Sequence, residues 1–250
     1  MTDTTFEPFL RNAWYLAAWS EELEGGLDGR TIMNEPIVLF RDGDGKAAAL
    51  EDRCCHRGAP LTHGTVTDNG IQCGYHGLTF DGTGKCIDIP GQDNIPSQAE
   101  VRSYPIREKQ QFVWIWMGDP ALADDSQLID YPYHDMTDQW AHRKAMFPIN
   151  SNYMMMIDNL MDLTHLGYVH SKTIGGNQNA HVDAEMTTET RETGVIFTRW
   201  FMDHTPPPTY VKAAGFEGKV DRWQEFEYVM PSSVLQWTGA IDTGKGAKDD

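Results

Sequence analysis

Two short loops in the first third of the chain each combine a cysteine with a histidine. The first is Cys54-Cys55-His56-Arg57 and the second is Cys73-Gly74-Tyr75-His76. Thiolate and imidazole donors separated by one or two residues are typical of a metal site, because one tight loop then offers both to the same centre. These loops constrain the fold more than any other feature, since the chain must bring both of them to one place.

The order of the donors distinguishes between kinds of metal site. Cys54-x-His56 followed by Cys73-x2-His76 alternates thiolate and imidazole, as in a Rieske [2Fe-2S] cluster, where two thiolates hold one iron and two imidazoles hold the other. Neutral imidazoles raise the reduction potential to roughly −150 to +300 mV, compared with about −400 mV for plant-type clusters. Zinc is the alternative, but zinc fingers usually present two cysteines before two histidines. The spacing therefore favours an electron-transfer cluster.

The remaining cysteines are not predicted to bind the cluster. Cys54 is preferred over Cys55 because Cys54-x-His56 leaves one residue between the ligands, so Cys55 is predicted to be a free, partly buried thiol. Cys86 is predicted to be a small core residue. With only four cysteines and no disulfide framework, the predicted location is the cytoplasm, a reducing compartment.

The charge balance and the hydropathy pattern exclude two classes of partner. The chain carries 37 Asp and Glu against 20 Lys and Arg, for a net charge of −17, so nucleic acid is excluded because its phosphates would be repelled. No apolar run approaches the ~20 residues that a membrane span needs, and no leader opens the chain, so no membrane partner is expected.

The sequence predicts an α+β fold of two domains. Alternating apolar residues and turn signals predict a hairpin of strands over 35–41 and 46–51 and a further strand over 112–117. The predicted organisation is an antiparallel β cluster domain over 1–118, a polar connector over 119–138, and a helix-plus-antiparallel-sheet domain over 139–250.

A helix is predicted over 152–167, apolar on one side and acidic on the other. At about 100° per residue, Asp158, Asp162 and His165 would share one face of this helix. A solvated helix face is one explanation of that stripe. The other is a mononuclear iron held by two histidines and a carboxylate, as in non-haem Fe(II) oxygen-activating enzymes.

The second histidine of such a site would be His170, five positions beyond His165. On an ideal helix the two side chains point about 140° apart. Both can reach one metal only if the helix ends or bulges between them, and Gly167 is the residue predicted to allow this.

Together these segments resemble the Rieske non-haem iron oxygenases. The stretch from Asp158 to His170 matches the D-N-x-x-D-x-x-H-x4-H motif of that family. The chain resembles the oxygenase components of the vanillate O-demethylase group and is similar to relatives that act on toluenesulfonate and dicamba. The resemblance covers nearly the whole chain.

The resemblance implies a role for each motif residue. The cluster ligands would be Cys54, His56, Cys73 and His76, the mononuclear Fe(II) ligands His165 and His170, the electron bridge Asp162, and a residue beside the iron Asn159. A carboxylate at Asp162 is also expected to accept the imidazole N–H of His165. In that family a ring of three subunits places the cluster of one subunit near the iron of the next, so a homotrimer is implied.

The implied activity is that of a terminal oxygenase. Electrons from NADH would arrive through a separate flavin and iron–sulfur reductase, and O2 would oxidise a methyl or methoxy group of an aromatic acid. Vanillate-type O-demethylation, which releases formaldehyde, is the leading interpretation. Ring dihydroxylation, a Rieske electron carrier without catalytic iron, and a zinc-stabilised binding module remain alternatives.

The sequence differs from the family pattern in three respects. Cys55 stands where relatives often have proline, and Leu78 stands where many have tryptophan. The third iron ligand, an Asp or Glu, is expected beyond the point that matches Asp250, so the catalytic domain is expected to continue past it.

Overall fold

In the part of the chain that the structure describes, the first compact unit contains ten strands. The computed structural model describes residues 9–248, and the boundary between its two compact units falls between Met146 and Phe147. The strands of the first unit are β1 (Ala13–Trp19), β2 (Asp28–Ile32), β3 (Glu35–Arg41), β4 (Ala47–Glu51), β5 (Thr65–Thr67), β6 (Gly70–Gln72), β7 (Thr79–Phe80), β8 (Cys86–Asp88), β9 (Ile106–Lys109) and β10 (Phe112–Met117). They form three antiparallel sheets in the orders β1-β10-β9, β2-β3-β4 and β5-β6-β7-β8. The predicted antiparallel β domain and its hairpin are confirmed.

Strand β3 is buried on both of its faces. The four apolar residues at 37–40 are all 0% exposed, which explains why they form a continuous apolar run instead of an alternating one. Two of them pack against β1 and β10, whereas Val38 and Phe40 belong to a second core that also contains Cys54 and Cys73. The cysteines of both ligand loops are therefore fixed by a hydrophobic core.

The segment predicted to be a connector contains three short 3-10 turns. These are Pro120–Leu122, Asp125–Gln127 and Pro132–His134. The segment contacts the strands before it, since the indole N–H of Trp14 donates to the carbonyl of Asp124 at 2.8 Å. The predicted domain limits at 118 and 138 stay a prediction.

The second unit combines helices with one antiparallel sheet. Its helices are α1 (Tyr153–Met161), α2 (Leu166–Val169), α3 (Gln178–Asp183) and α4 (Pro208–Ala214), and its strands are β11 (Glu185–Arg191), β12 (Gly194–His204), β13 (Val220–Val229) and β14 (Ser233–Asp242). The sheet order is β11-β12-β13-β14. This confirms the predicted helix-plus-sheet architecture. No helix within residues 9–248 is long and apolar enough to cross a membrane.

The continuous helix predicted over 152–167 is wrong. Helix α1 stops before Asp162, whose backbone is extended (φ −107°, ψ 99°) and whose carboxylate accepts from the backbone N–H of Thr164 at 2.9 Å. An aspartate that caps a new helical turn in this way competes with helix continuation. Asp158, Asp162 and His165 consequently do not form one helical stripe.

Gly167 does not interrupt a helix, contrary to the prediction. It lies inside α2 and is buried, and a Cβ added there would be 2.6 Å from the Cα of Gln178 and 3.1 Å from Cδ2 of His181. Glycine is needed here because α2 and α3 approach each other closely.

Candidate cluster loops and iron site

The two ligand loops have the same backbone hydrogen bonds. In each loop the cysteine N–H donates to the carbonyl five residues later, at 2.8 Å for both Cys54 and Cys73. The cysteine carbonyl accepts from the glycine four residues later, at 2.9 Å for Gly58 and 3.0 Å for Gly77. Two equivalent loops therefore present equivalent donors, as a cluster with two irons requires.

Both loop glycines adopt the left-handed conformation that favours glycine, with φ of +70° at Gly58 and +78° at Gly77. The predicted motifs did not include these two glycines. The signal was a glycine four positions after each ligand cysteine, which extends the motif to C-x3-G in both loops.

Replacing Gly77 with alanine is expected to reduce cluster content. A left-handed φ costs an L-residue roughly 1–2 kcal/mol, and the new Cβ would also lie 2.8 Å from Cγ of Pro90. Gly91 is the matched control because it has φ +81° and nothing within 4 Å of an added Cβ. Iron and sulfide assays with visible circular dichroism should find less cluster in G77A than in G91A, and equal content would refute this role of Gly77.

The four predicted cluster ligands differ in burial, with the thiols inside and the imidazoles outside. Cys54 and Cys73 are 3% and 2% exposed, with their thiols in hydrogen-bond contact, whereas the His56 and His76 rings are exposed with centroids 4.7 Å apart. Two sulfurs inside and two imidazoles at the surface fit a cluster whose irons carry different ligands. Cys55 is free and exposed, so the prediction of a partly buried thiol is wrong.

Burial disfavours the thiolate form of Cys54. It raises the pKa of Cys54 to about 11, and the adjacent Cys73 thiol adds to the rise. The metal-free loop at neutral pH thus holds a neutral Cys54 thiol, and cluster binding must displace its proton.

The two histidines of the second motif are brought together. The rings of His165 and His170 lie 5.5 Å apart, and both side chains are half-buried. Nδ1 of His165 lies 2.7 Å from the backbone carbonyl of Asp162, and because a carbonyl only accepts, Nδ1 carries the proton and Nε2 is left to bind metal. This donor pair fits a mononuclear iron, and the two histidines flank the short helix α2, His165 as its N-cap and His170 as its C-cap.

The carboxylate of Asp162 has a different partner from the one expected. One of its oxygens accepts from the backbone N–H and the hydroxyl of Thr164, at 2.9 and 2.7 Å, while the imidazole of His165 uses the carbonyl. The expected carboxylate–imidazole contact is therefore wrong, although the tautomer of His165 is fixed all the same. The hydrogen bonds from Thr164 hold the pKa of the Asp162 carboxyl below its usual range.

The expected iron site has two further elements, Asn159 and a third ligand. Asn159 is exposed on α1, and its proposed place beside the iron stays a prediction. Within residues 9–248, no three His, Cys, Asp or Glu side chains converge on one metal ion.

Comparison with known proteins identifies both units. The Rieske [2Fe-2S] domain family matches residues 13–105, and the vanillate O-demethylase oxygenase C-terminal domain family matches residues 149–250. A toluene-4-sulfonate monooxygenase system iron-sulfur subunit of Comamonas testosteroni is 42% identical over 96% of this chain and 70% of the relative. A vanillate O-demethylase oxygenase subunit of a Pseudomonas species is 38% identical over 96% of this chain and 68% of the relative.

Solved structures agree with these relatives. Dicamba monooxygenase bound to 3,6-dichlorosalicylic acid matches with a TM-score of 0.85 and 34% identity, covering 96% of this chain and 71% of that one. A further structure of that enzyme is described as containing non-haem iron. The chain therefore belongs to the Rieske non-haem iron oxygenases, in the family of the vanillate O-demethylase oxygenase subunits.

Proposed function

We propose that this chain is the terminal oxygenase component of a multicomponent system that oxidises a methyl or methoxy carbon of an aromatic acid with O2. One observation carries the proposal: the same chain contains paired thiols with paired imidazoles in its first unit and a second pair of imidazoles, His165 and His170, in its second unit. An electron-transfer protein alone needs only the first set. The named activities of the relatives, toluene-4-sulfonate oxidation and vanillate and dicamba O-demethylation, supply the substrate class.

The chain's own residues would serve these two centres in different ways. When bound, the cluster supplies single electrons and the mononuclear iron supplies open positions for O2. Cys54 and Cys73 would hold one iron of the cluster from inside the hydrophobic core, which excludes water. His56 and His76 would hold the other iron at the surface. His165 would bind iron through Nε2 while its Nδ1 proton stays on the Asp162 carbonyl.

Partners and location follow from the same assignment. We infer a separate flavin and iron–sulfur reductase that takes electrons from NADH, a homotrimer in which the cluster of one subunit serves the iron of the next, and a place in the cytoplasm. Asp162 and Asn159 are the proposed catalytic residues of the second unit. No nucleic acid or membrane partner is proposed, because a net charge of −17 repels phosphate-rich surfaces.

Product analysis tests the proposal. The purified chain, a reductase of this type, NADH and O2 are incubated separately with vanillate, toluene-4-sulfonate and dicamba. Formaldehyde with a phenol is expected from a methoxy substrate, and a benzylic alcohol from a methyl substrate. One atom of oxygen from 18O2 should enter the benzylic alcohol, whereas the phenol should carry no label because it keeps the ether oxygen of the substrate while the label leaves with formaldehyde.

Other products would point to the alternatives. Formation of a cis-dihydrodiol would indicate ring dihydroxylation instead of methyl oxidation. Reversible cluster reduction with no product from any substrate, and no binding of Fe(II), would mean an electron carrier.

Asp162→Asn is expected to separate electron transfer from folding. Asparagine caps a helical turn about as well as aspartate, so the break before Thr164 should persist while the negative charge is lost. We expect single-turnover reduction of the iron to slow by about tenfold or more. Asp162→Ala is the comparison, since it also removes the cap at a cost of about 1 kcal/mol. A wild-type rate in D162N would exclude the bridging role.

A further inference from the structure

Two arginines are buried together on the sheet of the second unit. Arg199 on β12 is 6% exposed and Arg222 on β13 is 1% exposed. Their guanidinium carbons lie 5.2 and 3.8 Å from the centroid of the Phe201 ring. Phe201 pairs directly with Arg222 across the two strands, so all three side chains occupy one face of the sheet.

Neither arginine forms an ion pair with any residue that the structure describes, since the salt bridges of residues 9–248 do not include them. Burying a guanidinium without a carboxylate partner is expensive, and burial lowers the pKa of both groups. A side chain retained at such a cost calls for an explanation in terms of what its N–H groups bind.

The N–H groups of Arg199 bind backbone carbonyls beside the iron site. One terminal nitrogen donates to the carbonyl of Leu163 at 3.3 Å, and the other donates to the carbonyl of His181 at 2.7 Å. Leu163 lies between Asp162 and His165, in the turn that follows the helix break. Arg199 therefore fixes the backbone of the segment that carries the first histidine.

A second chain of contacts leads from Arg199 to the other histidine. The ring of His181, through Nε2, donates to the carbonyl of Gly175 at 2.9 Å. The N–H of Gly175 donates in turn to the carbonyl of His170 at 3.0 Å. Arg222 reaches the same loop, with a longer contact of 3.5 Å to the carbonyl of Ile174.

Arg199 and Asp162 both line a cavity of about 320 Å³. The lining includes Asp162, Thr164, His181 and Arg199. The two opposite charges attract each other although they form no direct ion pair. Arg199 is thus placed to act on both the backbone and the charge of the segment.

We propose that Arg199, assisted by Arg222, is a positioning residue that sets the separation of His165 and His170 by holding the backbone of both segments. Only arginine presents enough N–H donors in a rigid plane to bind two carbonyls at once. A lysine at position 199 would keep the positive charge, but its compact ammonium group could not bind both carbonyls in the same geometry. This inference rests on the proposed function for the identity of the metal, but not for the backbone contacts themselves.

The test uses the full chain with its cluster intact, titrated anaerobically with Fe(II) and then exposed to nitric oxide. The variants are Arg199→Met, Arg199→Lys, Arg222→Met and the matched control Arg191→Met. Arg191 is exposed on β11 of the same sheet, and its ion pairs go to Glu189 and Glu227. Fe(II) affinity, the rhombicity of the Fe–NO electron paramagnetic resonance (EPR) signal, and amide hydrogen exchange over residues 162–176 are measured for each.

We expect Fe(II) binding to weaken about tenfold or more in R199M, with a broader and more rhombic Fe–NO signal and faster exchange over 162–176. R199K should be intermediate, R222M should show a smaller effect, and R191M should match wild type. The cluster signal in the first unit is the internal standard for intact protein. If R199M does not fold, R199K provides the comparison.

Wild-type affinity, signal shape and exchange in folded R199M or R199K would overturn the proposal. A wild-type chain that binds no Fe(II) would overturn the proposed function instead. In that event the exchange experiment still decides the positioning role, since faster exchange supports it and unchanged exchange refutes it.

Discussion

Replacing His165 with alanine is expected to remove the mononuclear iron and all O2-dependent product, while the [2Fe-2S] cluster stays at wild-type content. The structure brings two imidazoles together here, His165 and His170, so one substitution removes half of that donor pair. Loss of even an indirect partner of a metal ligand typically costs 10–100-fold, and loss of a ligand should exceed about 100-fold. The Fe–NO signal and product yield are the measurements.

His204→Ala is the matched control, because His204 ends β12 in the same unit and is not a predicted ligand. It should keep both signals. An H165A protein that retains a wild-type Fe–NO signal would contradict the assignment of His165 as a ligand.

Replacing Cys54 with serine is expected to abolish the [2Fe-2S] cluster. Cys54 is buried against the Cys73 thiol in the core, and a serine hydroxyl at this position is a hard, weakly acidic donor that suits iron–sulfur chemistry poorly. The chain should lose its visible absorbance and its reduced-cluster EPR signal. Stability should fall as well, because binding free energy contributes to folding free energy.

Two other cysteines make this test specific. Cys55→Ser should keep the full cluster because Cys55 is exposed and outside the paired thiols, and Cys86→Ser should keep it because Cys86 is a buried core residue of β8. Loss of the cluster in C55S with retention in C54S would reverse the choice between the adjacent cysteines.

The cluster site could be predicted because its determinants are local. Each loop supplies its donors within four residues, and the run at 37–40 identifies a central strand from composition alone. The glycines four positions after Cys54 and Cys73 also indicate that the two loops are equivalent. That inference requires the expectation of a left-handed residue at both positions.

The bend of the iron site could not be read from helical periodicity. The Asp162 side chain replaces a helical hydrogen bond by a capping bond to Thr164, and this local competition overrides the apolar pattern of 152–167. Gly167 was assigned the bend because glycine is a common helix breaker, whereas its requirement is close packing against α3.

The buried arginines were equally invisible in the sequence. A charged residue on a strand usually indicates a solvent-facing position, although Arg199 has the same parity on its strand as the apolar residues Phe197 and Phe201. The partners of the two arginines are backbone carbonyls of Leu163, Ile174 and His181, distant in sequence. Only the tertiary fold brings those groups together.

The most direct test of the central claim is low-temperature EPR of the purified chain, reduced anaerobically with dithionite and then exposed to nitric oxide. Two signals are expected from one polypeptide, a reduced Rieske-type cluster and a high-spin Fe–NO centre. A colourless, zinc-loaded protein with no cluster signal would show that this chain is not a Rieske oxygenase.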